Sequence, residues 1–72
     1  MNLRTAKTAI GRTLEAYDAA DSRTEVKQIE KQRTCLTFYF NFQTGFDRDG
    51  RKLFGCKVVL TAKDWLVTAY PV

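Results

Sequence analysis

A run of strictly alternating side chains constrains the fold of this chain more than any other feature. Between Thr34 and Gln43, every second residue is a large apolar one. These residues are Leu36, Phe38, Phe40 and Phe42. A period of two places them on one face of a β-strand and the intervening polar residues on the other. The segment Asp47–Gly50 then predicts a turn, with aspartate at its start and a glycine that tolerates a positive φ.

The residues after this turn predict a second strand, from Arg51 to Thr61. Its inward side chains would be Phe54, Cys56, Val58 and Leu60. In this register Cys35 and Cys56 point to opposite faces of the sheet and cannot form a disulfide with each other. This favours free, buried thiols in a reducing compartment. The chain has no histidine and no zinc-ligand spacing, so neither a metal site nor a cofactor is predicted.

The register of the last predicted strand decides which side chains share the outer face of the sheet. A two-residue turn at Lys63–Asp64 would put Val58 opposite Ala69. The core would then receive Trp65, Val67 and Ala69, and the outward residues would be Leu66, Thr68 and Tyr70. A loop one residue longer would bury Thr68 and Tyr70 instead, because a one-residue slip turns every side chain over. The shorter turn is favoured, since a buried threonine hydroxyl needs a hydrogen-bond partner.

The first half of the chain predicts helix. Apolar residues recur at spacings of three and four, at Leu3, Ala6, Ile10, Leu14 and Tyr17. Asn2 or Thr5 could cap this amphipathic helix. The segment Ser22–Glu25 fits the capping-box pattern, which favours a second short helix from about Arg23 to Gln32. The alternative is that Glu25–Gln32 is extended and joins the next strand.

Residues 1–72 are therefore predicted to form a single small α+β domain. An N-terminal amphipathic helix, with or without the second one, would pack on a three-stranded antiparallel β-meander. A chain of 72 residues has no room for a second core, and an apolar fraction of 44% argues against disorder. No apolar run approaches the roughly 18 residues of a membrane span, and the N-terminal segment lacks the apolar centre of a signal peptide. We expect a cytoplasmic protein with no membrane partner.

The charge balance favours an acidic partner. Twelve Lys and Arg against eight Asp and Glu give a net charge of +4 and a pI of about 9.3. The sign favours a partner such as nucleic acid, but the excess is modest for a small domain, and an ordinary soluble surface is the alternative interpretation. A stacking platform for single-stranded nucleic acid could form from Tyr39, Tyr70 and Trp65, with Lys57 nearby as cationic support. The alternative interpretation is that Trp65 is core and the tyrosines are simply strand-forming residues.

The final strand adds a resemblance. The segment Val67–Pro71 reads Val-Thr-Ala-Tyr-Pro and follows a predicted antiparallel sheet. It resembles the C-terminal signature of bacterial and phage ribonuclease toxins of the barnase, EndoU, colicin and RelE-like group. The resemblance implies helices packed on an antiparallel sheet and RNA cleavage without a metal ion. Many members use histidine as acid and base, so only the branch that relies on Lys, Arg and Tyr fits this chain.

This resemblance implies roles for six residues. Thr68 and Tyr70 would correspond to the terminal threonine or serine and the tyrosine that contact the base and the scissile phosphate. With Lys57 neutralising the phosphate, the implied catalytic residues are Lys57, Thr68 and Tyr70. The implied nucleic-acid-binding residues are Tyr39, which would stack on a base, and Arg51 and Lys52, which would steer the backbone. Whether the chain is an enzyme stays open.

A second hypothesis belongs to a different class of function. The chain could be a phage or mobile-element encoded inhibitor that binds a protein partner stoichiometrically and without catalysis. In that case an exposed edge of the Arg33–Gln43 strand would pair with a strand of the partner. The same edge could instead pair with a second copy and give a homodimer.

Overall fold

The computed structural model describes residues 2–29 and 32–72. These residues form one helix and six strands. The elements are α1 (Leu3–Asp18), β1 (Glu25–Ile29), β2 (Arg33–Tyr39), β3 (Gly45–Phe46), β4 (Lys52–Leu53), β5 (Gly55–Leu60) and β6 (Leu66–Pro71). Four strands make an antiparallel sheet in the order β1-β2-β5-β6, while β3 and β4 pair separately as a hairpin. The α+β class is confirmed, whereas the three-stranded meander is wrong because the main sheet has a fourth strand.

The helix α1 forms as predicted. The Asn2 side chain caps it by accepting a hydrogen bond of 2.8 Å from the Thr5 backbone N–H. Ala9 and Thr13 are fully buried against the sheet. The Thr13 hydroxyl satisfies itself within the helix by donating to the Ala9 carbonyl at 2.7 Å. Among the described residues, no helix is long and apolar enough to cross a membrane.

The predicted second helix is wrong. Glu25–Ile29 is a strand that pairs with β2, so the extended alternative is correct for these residues. The predicted capping box is replaced by a turn in which the Asp21 carboxylate accepts from the Arg23 N–H at 2.9 Å. Pairing with β1 satisfies backbone groups that β2 would otherwise leave open, which outweighs the local helix signal. Residues 30 and 31 of the predicted helix lie outside the described residues.

Because β1 occupies one side of β2 and β5 the other, β2 is an inner strand. The predicted exposed edge of the Arg33–Gln43 strand is therefore wrong. The open edges of the main sheet belong to β1 and β6. This change moves any strand-pairing surface to a different part of the chain.

The core lies between α1 and one face of the main sheet. Its fully or almost fully buried members are Ala9, Leu36, Cys56, Val58 and Leu60. Phe40 and Ala69 pack against this cluster, as the predicted alternation requires. Cys35 and Cys56 are both free and buried, on opposite faces. Burial raises the pKa of the Cys56 thiol, while a hydrogen bond with Thr13 opposes this effect.

The prediction that three further residues lie in the core is wrong. Trp65, Val67 and Phe54 are 73%, 40% and 43% exposed. Trp65 belongs to the turn before β6, where its backbone N–H donates to the Thr61 hydroxyl at 3.1 Å. A bulge near Val59 and Leu60 places Leu66 opposite Leu60 and leaves Val67 without a partner. The prediction that Leu66 faces outward with Thr68 and Tyr70 is therefore wrong, because Leu66 shares the face of the core residue Leu60. Phe54 lies between β4 and β5, outside the regular alternation.

Beyond the bulge, the favoured register of the last strand is confirmed. Val58 pairs with Ala69, and Lys57 pairs with Tyr70. Thr68 lies opposite Val59. The side chains of Thr68 and Tyr70 therefore lie on the face of the sheet opposite the helix.

Candidate nucleic-acid interface

The sheet face opposite α1, which we call the outer face, is built from two complete cross-strand rows. One row contains Glu25, Thr37, Lys57 and Tyr70, and the next contains Lys27, Cys35, Val59 and Thr68. The small residues at the centre are almost buried: Cys35, Thr37 and Val59 are 8%, 7% and 7% exposed. The longer polar and aromatic side chains around them stay exposed or partly exposed. The outer face thus has a closely packed centre that is surrounded by more exposed polar and aromatic side chains.

Lys57 and Tyr70 are direct cross-strand neighbours on this face. Gly55 and Val72 exchange two backbone hydrogen bonds, of 3.0 and 3.1 Å, and therefore form a hydrogen-bonded pair. Since such pairs recur at every second residue, Lys57 and Tyr70 form the next one, with a Cα separation of about 5.5 Å. In the part of the chain that the structure describes, neither side chain hydrogen-bonds to another side chain. The ammonium and the phenol are available to a ligand.

Tyr39 is held in place by a glycine on the neighbouring strand. Tyr39 and Gly55 are Cα partners between β2 and β5. A Cβ atom built at Gly55 would lie 2.7 Å from Tyr39 Cε1 and 2.8 Å from Cδ1, so the ring rests on the glycine backbone. The Tyr39 side chain is nevertheless 58% exposed. It presents an aromatic surface in a fixed position, which is what base stacking requires.

Thr68 completes the group of predicted residues on the outer face. It lies two residues before Tyr70 on β6 and points the same way. The structure therefore brings Lys57, Thr68, Tyr70 and Tyr39 onto one surface. The sequence placed the first three there through the register of β6, and Tyr39 through the alternation of β2.

Arg51 and Lys52 lie elsewhere. They belong to the β3–β4 hairpin, which is a separate sheet, and both are exposed. Asp47 holds the turn, since its Oδ1 accepts from the backbone N–H groups of Asp49 and Arg51 at 2.8 Å each. Gly50 adopts the positive φ, 77°, that the turn prediction required. The two basic residues are therefore not part of the outer face.

Two cations of the outer face were not predicted. Lys27 lies in the second row, and Arg33 begins β2 on the same side as Cys35. Lys27 was missed because its position depends on β1, a segment predicted as helix. Arg33 extends the β2 alternation of Cys35, Thr37 and Tyr39 by one residue, so its position did not depend on β1. Among the described residues, Glu25 is the only acidic side chain on this face. With Lys57, the three cations give the face a positive excess.

A cleft on the helix side is the other notable concavity. It has a volume of about 520 Å³ and is lined in part by Arg12, Glu15, Asp21 and Arg23. The two guanidinium groups lie over aromatic rings, Arg12 at 5.6 Å from Phe42 and Arg23 at 5.3 Å from Phe38. The acidic and basic side chains balance, so this cleft has no electrostatic preference for a phosphate.

Comparison of the chain with protein-family models, with curated proteins and with solved structures gave no match. The resemblance to ribonuclease toxins therefore stays a prediction drawn from the final strand. Within residues 2–29 and 32–72, no group of three or more acidic or cysteine side chains is placed to hold a metal ion. The case for function depends on the outer face.

Proposed function

We propose that this chain is a small protein that binds single-stranded RNA on its outer face. The observation that carries the proposal is the combination of two exposed tyrosines with a lysine between them on adjacent strands. Tyr39 lies on β2, Lys57 on β5 and Tyr70 on β6. No duplex could use this arrangement, because stacking on a side chain needs a base that is free of its neighbours.

The spacing of the tyrosines suits two separate bases. They lie two strands apart and are offset by two residues, which corresponds to about 12 Å between their Cα atoms. Tyr39 and Tyr70 are 58% and 43% exposed, so both rings can be covered by a ligand. Stacking of one base on an aromatic side chain contributes about 1–3 kcal/mol and is tolerant of sequence.

The cations supply the contacts with the RNA backbone. Lys57 lies between the tyrosines, while Lys27 and Arg33 continue the positive surface toward β1. A phosphate beside Lys57 would also lie beside the Tyr70 hydroxyl and near Thr68. The proposal thus uses four of the six residues that the sequence singled out.

Three of these residues, Lys57, Thr68 and Tyr70, could support cleavage without a metal ion, as the toxin resemblance implies. In that reaction the RNA 2′-hydroxyl gives its proton to water as its oxygen attacks the adjacent phosphorus. The bond between phosphorus and the 5′-oxygen breaks, and the 5′-oxygen takes up a proton as it leaves. The products are a 2′,3′-cyclic phosphate and a 5′-hydroxyl. Lys57 would stabilise the charge on the phosphoryl oxygens, and the Tyr70 hydroxyl would donate the proton that the leaving 5′-oxygen takes up. Thr68 would position the phosphate.

Binding is tested with labelled single-stranded oligonucleotides and matched variants. We expect Tyr39→Ala to weaken binding about 5- to 100-fold, because it removes one stacked base. Phe46→Ala is the matched control, since Phe46 is 62% exposed but lies in the β3–β4 hairpin. Equal losses in the two variants, or no binding by the unmodified chain, would contradict the proposal.

Cleavage is tested separately, with total RNA in the presence of a chelator. The control is a Lys57→Ala/Tyr70→Phe double variant of equal thermal stability. Discrete products with cyclic phosphate ends that disappear in the double variant would support the enzyme. Intact RNA beside measurable binding would remove cleavage and leave an RNA-binding protein.

A second candidate function is the phage or mobile-element encoded inhibitor. The observation that favours it is the open edge of β6, which carries exposed apolar side chains and could accept a partner strand. Such an inhibitor would form a stoichiometric protein complex with little salt dependence, and the chain would not bind RNA. The oligonucleotide titration therefore distinguishes the two functions.

A further inference from the structure

The two open edges of the main sheet differ in charge. The edge strand β1 carries Glu25 and Lys27, and lysine on an edge strand discourages pairing with another strand. The other edge strand, β6, has no such protection. No charged residue occurs from Trp65 to Val72.

The backbone of β6 leaves a donor and an acceptor at its free edge. Since Gly55–Val72, Lys57–Tyr70 and Val59–Thr68 are the hydrogen-bonded positions, the intervening residues turn their backbone groups away from β5. These are Ala69 and Pro71. Proline has no N–H to leave unsatisfied, so Pro71 fits an edge position. Ala69 directs both an N–H and a C=O outward.

Three consecutive apolar side chains lie at the start of this strand and in the residue before it. Trp65, Leu66 and Val67 are 73%, 54% and 40% exposed. Single exposed apolar residues are common. A contiguous group on an edge strand, which has one side without a partner strand, is typical of an interaction site. The bulge next to Val67 interrupts the regular alternation of β6 within this group.

We propose that the free edge of β6 binds the β6 edge of a second copy, antiparallel and about a two-fold axis at Ala69. Each Ala69 N–H then donates to the Ala69 carbonyl of the other copy, which is the self-complementarity that a two-fold interface demands. The approach brings no like charges together, although each copy carries a net charge of +4. The two sheets join into one of eight strands, with both helices on the same side.

The small size of the chain favours a second copy as the partner of the β6 edge. A domain this small buries only about 60–65% of its unfolded surface, so covering Trp65 and Leu66 adds apolar burial that one copy lacks. Pairing along one short strand buries less than the roughly 1,200 Å² of a standard interface. We therefore expect a reversible dimer with a dissociation constant on the order of micromolar.

The single tryptophan gives a direct readout, because Trp65 lies at this edge. Without RNA present, sedimentation velocity over a range of concentrations should show a monomer–dimer transition. The emission of Trp65 should shift to shorter wavelength with the same midpoint. This test is independent of the RNA proposal.

Two variants with the same charge change compare the edges. Leu66 is 54% exposed and Val26 is 51% exposed, on β6 and β1. We expect Leu66→Lys to raise the dissociation constant at least about tenfold and Val26→Lys to leave it within about twofold. Ala69→Pro removes an N–H that points to the free edge and not to β5, so it should also weaken the dimer. Since Ala69 packs against the core, the comparison requires that the variant keeps the thermal stability of the original chain.

Three results would overturn the proposal. The chain could remain monomeric up to millimolar concentration. Val26→Lys could weaken the dimer as much as Leu66→Lys, which would move the interface to β1. The β6 edge could bind only a strand of a foreign protein, which would favour the inhibitor function instead.

Discussion

At the scale of single residues, the turn after α1 depends on one ion pair. The Asp21 carboxylate accepts from Arg23 Nη2 at 2.7 Å, from Arg23 Nε at 3.1 Å and from the Arg23 backbone N–H at 2.9 Å. These hydrogen bonds favour the ionised carboxylate and lower the pKa of Asp21 from 3.8 to about 2. The turn they stabilise directs the chain from the helix into β1.

We predict that Arg23→Gln raises the pKa of Asp21 toward 3.8 without reaching it, because the backbone hydrogen bond persists. A lowered pKa stabilises the fold above the unfolded value near 3.8, and this contribution is lost as the pH falls through about 2. The free energy of unfolding of the variant should therefore lose part of its pH dependence between these values. Carboxyl-carbon NMR titration measures the change. Arg4→Gln, at an exposed position of α1, is the control and should leave Asp21 unchanged.

At the scale of elements, the β3–β4 hairpin is joined to β5 through one buried threonine. Thr44 is 2% exposed, and its hydroxyl donates to the Gly55 carbonyl at 2.7 Å. The same oxygen lies 3.2 Å from the Leu53 carbonyl, which also accepts from the Thr44 backbone N–H at 2.8 Å. Because Gly55 supports the Tyr39 ring, this contact links the hairpin to the outer face.

We predict that Thr44→Val lowers the free energy of unfolding by about 1–3 kcal/mol. The valine fills the same volume but leaves the Gly55 carbonyl without the hydroxyl. Urea denaturation gives the value. Thr44→Ser keeps the hydroxyl and should retain more stability than the valine variant. A valine variant as stable as the original chain would contradict this role for the hydroxyl.

The elements also explain what the sequence could and could not predict. The helix and the strands β2 and β5 each direct their large apolar side chains toward the core between helix and sheet, so each leaves a clear period in the sequence. By contrast, all five residues of β1 are exposed, which removes the period-two signal, and the local capping-box pattern then favoured a helix. Placement of Lys57, Thr68 and Tyr70 needed only the β5–β6 register. Placement of Lys27 needed β1, so no local pattern could give it, whereas Arg33 follows from the alternation of β2.

Gly55 shows the same limit at closer range. Gly55 matters because the Tyr39 ring of the neighbouring strand covers its backbone. The sequence alone does not show this contact, since it depends on the register between β2 and β5. Trp65 shows the opposite error, because its apolar character favoured the core while the turn and bulge expose it. Long-range pairing, rather than propensity, decides both residues.

At the scale of the whole molecule, the net charge of +4 attracts an RNA backbone most strongly where several cations lie on one surface. Lys27, Arg33 and Lys57 share the outer face with one acidic residue, Glu25. The helix-side cleft, in contrast, balances its arginines with carboxylates. An RNA strand should therefore gain more electrostatic stabilisation on the outer face than in this cleft.

We predict that RNA affinity falls with salt in proportion to these three contacts. Single strands release about 0.7 counterion per neutralised phosphate, so the slope of log K against log salt should be about −2. Lys57→Ala should make the slope shallower by about 0.7, because one contact is lost. Lys63→Ala removes an exposed lysine from the turn before β6 and is the matched control. Fluorescence anisotropy at several salt concentrations gives all three slopes, and a slope near zero or a Lys57 variant with an unchanged slope would place the RNA away from the outer face.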